Sequence, residues 1–215
     1  MATLTLQPDA TAGKDADIEQ TSGSGAGGGT SLSVGLAPSG KLSNVYRSLL
    51  EFDISSIAAG STINTHADTR LRLNITAHDS GRAGQVLARC TRPGDASGWL
   101  EASVTWIVYK TSNNWTTAGG DVSATNAVSF SAPSATGAFD IGASDANFAA
   151  LLQDALDSRS GIFSVRIKGP ETGGIGANIW IFDSSDHGTA GNRPELKVDY
   201  TAPGGAARRR SGWVA

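Results

Sequence analysis

Three of the five tryptophans fall inside residues 98–120, "GWLEASVTWIVYKTSNNWTTAGG". Indole rings do two quite different jobs. Exposed and roughly coplanar, they stack on sugar rings. Buried, they fill a core while the N–H finds a hydrogen-bond acceptor. In "SVTWIVY", Val104, Trp106 and Val108 share a face if the segment is extended, which predicts burial of Trp106. Trp180, in "NIWIF", reads the same way. Trp115 follows two asparagines and precedes "TTAGG", so it is carried by a loop, and Trp99 stands two residues before Glu101. Trp99 and Trp115 are therefore the candidate glycan-stacking pair, with core packing as the other reading of both.

A second group is acidic. "FDSSDHG" places Asp183, Asp186 and His187 in one turn, and "DADIE" places Asp15, Asp17 and Glu19 on one strand face. Hard carboxylate oxygens suit calcium, while Asp and Ser in this pattern also form hydrogen-bonded turns. Asp183 and Asp186 are the candidate ligands for a structural calcium, and no other cofactor is expected. The three histidines, His66, His78 and His187, belong to no HExxH pattern, and neither GxSxG nor a P-loop occurs. The single cysteine, Cys90, lacks a Cys/His context and can form no internal disulfide. A non-enzymatic protein is expected.

A third group is basic. The end of the chain, "TAPGGAARRRSGWVA", carries Arg208, Arg209, Arg210 and Trp213 after a Pro-Gly-Gly hinge. It reads as a tail, 202–215, following a domain over 1–201. A lone tryptophan beside arginines is a natural anchor into a partner's pocket, so these four residues are the candidate partner-binding group. The net charge of −3 gives no attraction to nucleic acid or to an anionic membrane. The N-terminus shows neither the basic nor the apolar region of a signal peptide. No apolar run approaches the roughly 20 residues that span a bilayer. Synthesis in a cytoplasm is expected.

The elements that must position these groups are strands. The 27 glycines and the charged fraction of only 17%, against about 25% in ordinary soluble proteins, point to many small polar turns between strands. "SLSVGL" alternates with Leu32, Val34 and Leu36 on one face. In "VYRSLLEFDI", Tyr46, Ser48, Leu50 and Phe52 oppose Val45, Arg47, Leu49 and Glu51. "TRLRLNIT" turns Leu71, Leu73 and Ile75 inward. "GQVLARCT", "AVSFSAP", "GAFDIG", "GIFSVRIKGP", "ANIWIFDSS" and "PELKVDYT" add further short strands, and Thr21–Thr30 reads as a flexible surface loop. One helix is predicted over 145–158, with Ser144 as N-cap, Phe148, Leu151, Leu152, Ala155 and Leu156 at helical spacing, and Gly161 as the stop. The economical architecture is all-β: a jelly-roll or Greek-key β-sandwich of nine or ten strands with one short α-helix.

"RSLLEFDISSIAAGSTI…TRLRLNI", "GWLEASVTWIVYKTSNNWTTAGGD" and "NRPELKVDYT" together resemble the DNRLRE, or disaggregatase-related, domain, and "DATAGKDADI" resembles the opening of versions found in bacteriophage proteins. The resemblance spans about residues 2–201. Asp15, Arg47, Phe52, Asp53, Trp99, Glu101, Trp106, Arg193 and Pro194 match recurrent positions, whereas "GAGGG", Asp17 and "NTHAD" depart from the pattern. The resemblance implies a jelly roll allied to carbohydrate-binding modules. For a lone domain it implies a virion structural protein. That protein is a capsid decoration (cement) protein or a head or tail fibre module, binding capsid or tail proteins of the same particle as a homo-oligomer. The alternative it implies is a carbohydrate-binding or adhesion module recognising a host surface polysaccharide.

Overall fold

A computed structural model describes residues 1–21, 25–39, 42–79, 83–94, 98–171 and 178–203. Its first half comprises β1 (Ala2–Leu6), β2 (Lys14–Glu19), β3 (Gly25–Ala26), β4 (Ser31–Ser39), β5 (Leu42–Asp53), β6 (Thr62–Ile63), β7 (Arg70–His78) and β8 (Gln85–Cys90). There follow β9 (Val108–Lys110), β10 (Asn113–Asn114), β11 (Val122–Phe130), β12 (Gly137–Ile141), α1 (Ala146–Ser158), β13 (Ile162–Lys168), β14 (Asn178–Asp183) and β15 (Glu195–Thr201).

The strands run side by side in the order β1-β15-β7-β14-β4-β5-β13-β8-β11, with β12 joining β7, β2 joining β5 and β6 joining β15. The pairings are antiparallel, as the alternating sequence requires of a sheet with two distinct faces. Helix α1 packs on β11 at one end of this path and on β6, which pairs with β15, near the other. The sheet therefore curls over on itself into an all-β sandwich, and the helix closes one end.

The alternation sorts the side chains as the sequence demands. Leu50 and Phe52 of β5, Leu71, Leu73 and Ile75 of β7, and Phe163, Val165 and Ile167 of β13 all enter one central core. Trp180 lies in the same core, and its Nε1 donates to Gln85 Oε1 at 3.0 Å. Phe148, Leu151, Leu152 and Ala155 dock α1 onto it.

Four local expectations change. The N-cap of α1 is Asp145, whose carboxylate accepts from Phe148 N at 2.9 Å; Ser144 sits one residue earlier at φ 57°, turning the chain into the cap. Gly25 and Ala26, read as part of a flexible loop, pair with β2. Residues 103–107 are irregular rather than extended, so only Val108 and Tyr109 of "SVTWIVY" are strand. Leu36 leaves the face of Leu32 and Val34 and joins a second cluster, and Gly35 between them has φ 116°.

Candidate functional site

The outward faces of β2, β5, β8 and β13 are not solvated. Ala16, Ile18, Val45, Leu49 and Cys90 point away from the central core into a second cluster, completed by Trp99, Val104, Trp106, Tyr109 and Trp115. Residues 98–121 thus form an aromatic cap on the outside of the sandwich. Burial on both faces explains why β5 carries apolar residues on each, Leu50 and Phe52 on one and Val45 and Leu49 on the other.

Each indole of the cap is tied down. Trp99 is 0% exposed, and its Nε1 donates to Ser164 Oγ on β13 at 2.9 Å. Trp115 is 5% exposed; its Nε1 donates to Thr105 O at 2.9 Å and its ring meets Tyr109 at 5.6 Å between centroids. Neither presents the bare face that sugar stacking needs, so the structure corrects the candidate glycan pair: Trp99 and Trp115 are core. The polar neighbours of Trp115 misled because the loop folds back over its own ring. Trp106 is buried as expected, though from irregular backbone.

Charged side chains of the sheet are trapped beneath the cap. Lys14 lies over Trp99 at 4.5 Å and Arg47 over Trp106 at 4.4 Å, cation–π contacts worth about 0.5–2 kcal/mol each. Arg47 also donates to both oxygens of Glu171, at 2.6 and 2.8 Å, and to Gly119 O at 2.6 Å. Arg166 gives Nη1 to the carbonyls of Gly119 and Gly120. Burial, followed by the neighbouring Arg47 charge, pulls its guanidinium down to about 10. The carboxylate of Asp121 holds Thr116 N and Thr117 N. A shallow open hollow of about 270 Å³ lies between Arg47, Thr117, Asp121 and Arg166.

The acidic residues regroup. Asp183 turns to Asn74, accepting from Nδ2 at 2.7 Å, with His187 Nε2 3.8 Å away. Asp186 goes elsewhere: carboxylate oxygens of Asp15 on β2, Glu101 in the cap and Asp186 after β14 lie within 4.8 Å of one another. The pair Asp183 and Asp186 is therefore split, and Glu101, not singled out as a ligand from sequence, joins the cluster. Its proximity to Asp15 depends on how the cap folds back, which no local pattern encodes. The three segments are held by Asp15 N donating to Glu101 Oε1 at 3.1 Å and by Ser185 N donating to Asp15 Oδ2 at 2.8 Å. A Cβ on Gly27 would stand 2.3 Å from Glu101 O, so only glycine lets this neighbouring loop approach the cap. Arg208, Arg209, Arg210 and Trp213 lie outside the described residues.

Burial is the main cause that pushes the Asp15 carboxyl up to about 7 and that of Asp17 to about 6, and it raises Glu51 and Glu101 as well. In the unfolded chain such groups titrate near pH 4. Between about pH 4 and pH 7 the native state binds more protons than the unfolded state, so its stability falls as pH rises through that window. Asp68, held at about 2 by Lys197 and then Arg70, acts in the opposite sense but only below about pH 4. Thermal melts in the presence of a chelator should give a melting temperature that declines from about pH 5 to pH 7.5. A steady rise over that interval would contradict the burial of these carboxyls.

The chain matches no protein-family model and no curated protein. What the fold and these clusters define is a curled antiparallel β-sandwich whose outer face is sealed by an aromatic cap, with three carboxylates at the seam.

Proposed function

We propose that this chain is a non-enzymatic structural module of a bacteriophage particle, a capsid decoration protein or a head or tail fibre module, that holds neighbouring protein subunits and forms homo-oligomers. The observation that carries the reading is the outer surface of the cap. Its aromatic residues are committed inward, while Leu100 and Ile107 project outward at 42% and 49% exposure. They stand on ordered backbone: Leu100 N donates to Tyr109 O at 2.8 Å, and Ile107 O accepts from Trp115 N at 2.9 Å. Apolar side chains held out on a pre-ordered surface lose little entropy when a second protein covers them, which favours protein contact. The bacteriophage setting comes from the DNRLRE-like residues.

Sedimentation velocity of the full chain at rising concentration tests this. Self-association is expected, and the double substitution Leu100→Asp with Ile107→Asp should abolish it without lowering the melting temperature. A chain that stays monomeric throughout and binds polysaccharide on a glycan array would overturn the reading in favour of an adhesion module, with its sugar surface away from Trp99 and Trp115.

A further inference from the structure

We propose that Asp15, Glu101 and Asp186 form a binding site for a divalent cation, calcium by preference, that clamps the aromatic cap onto the sandwich. The acidic cluster alone would not carry this. The second observation is a set of buried oxygens without partners among the described residues. Asp15 is only 3% exposed, yet its Oδ1 accepts no hydrogen bond; Asp186 is partly buried, but its Oδ2 is closed off from solvent and likewise unpartnered. Ser185 Oγ, beside the Asp15 carboxyl, makes no hydrogen bond of ordinary geometry either. Buried polar atoms are nearly always satisfied. Two orphaned carboxylate oxygens at one point, beside a third carboxylate, call for a positive charge.

Among the described residues no protein group supplies that charge. The cation that bears on Glu101 is Lys14, and Lys14 is engaged with Glu51 at 3.3 Å and with the Trp99 ring. Calcium–oxygen distances of about 2.3–2.6 Å place ligands on opposite sides of one ion about 4.6–5.2 Å apart. The cluster's oxygens, all within 4.8 Å of one another, fit a single calcium ion. Magnesium draws its ligands closer and demands a regular octahedron, which three segments of unrelated backbone are poorly placed to provide. Asp15 is buried, whereas Glu101 and Asp186 are only partly so, which leaves an entry side for the ion. The three ligands come from β2, from the cap and from the loop after β14. One ion therefore ties the cap to two separate parts of the sandwich.

The test uses the full chain, stripped with chelator and titrated with calcium alone, read by isothermal titration and by thermal melting. A saturable one-to-one isotherm is expected. At calcium a hundredfold above its dissociation constant the melting temperature should rise by about 5–10 °C. Asp186→Asn and Glu101→Gln should each weaken binding by at least about tenfold. Asp183→Asn should leave it unchanged. Asp15→Asn gives the sign that a purely structural carboxylate would not: removing one of three crowded charges should raise the melting temperature of the metal-free protein while abolishing the calcium response. No calcium-dependent heat or melting shift at millimolar ion would overturn the proposal. So would a shift that survives in Asp15→Asn and Asp186→Asn. Neither outcome bears on the subunit-binding role, which is read from sedimentation.

Discussion

Trp99→Ala should destabilise the protein by about 3–5 kcal/mol, the range for emptying a fully buried tryptophan site. For a domain of this size that is a fall in melting temperature of about 6–20 °C. The side chain has no exposure, its ring lies under Lys14, and its N–H is fixed to Ser164 on the sheet. Surrounding atoms cannot collapse into the space, because β2, β5 and β13 are held by their ladders. Urea denaturation gives the measurement. The same variant separates two roles for the indole. A sugar platform would lose ligand and keep its stability; a core indole loses stability. A midpoint unchanged from the parent would mean that the cap is not the second core described above.

Gly35→Ala is expected to act on a different part of the structure with comparable force. Gly35 has φ 116°, and a Cβ there would lie 1.9 Å from Asn178 O on β14. A non-glycine residue at such a φ costs about 1–3 kcal/mol, and pushing the β14 backbone aside adds about 1–3 kcal/mol more. The total loss should be about 2–6 kcal/mol. Because Leu36 must cross to the cap side immediately after this residue, the variant should also loosen the contact between cap and sheet. Hydrogen exchange at β4 and β14 would show it. Protection as in the parent protein would mean that Gly35 is replaceable and that the crossing of Leu36 has another cause.

The cap gives the molecule two outward properties that share one origin. Its indoles face the sheet, so its aliphatic residues Leu100 and Ile107 face solvent. Its first turn also swings Glu101 to the seam beside Asp15 and Asp186. A cation at the seam and a partner on the surface would both act on the same rigid segment.

Period-two alternation identifies most of the longer strands and their inner faces, though not the short strands β3, β6 and β10 or the crossing of Leu36. Burial on one side of a pleated sheet is written residue by residue, as in Leu71, Leu73 and Ile75. The helix was equally legible, because Phe148, Leu151, Leu152 and Ala155 repeat at its own period. The cap was not legible. Trp99, Trp106 and Trp115 sit on irregular backbone, where no periodicity tells an inward ring from an outward one, and only the docking of that segment on β2, β5 and β13 decides it. The sequence shows the acidic seam only as separate acids, Asp15 in one segment and Asp186 in another beside Asp183, without Glu101. Which carboxylates meet depends on contacts between residues as far apart in the chain as Asp15 and Asp186, and such contacts leave no trace in the spacing of neighbours. Local patterning records which face of an element is apolar. Only the tertiary fold settles which distant polar groups are pressed together when those faces close.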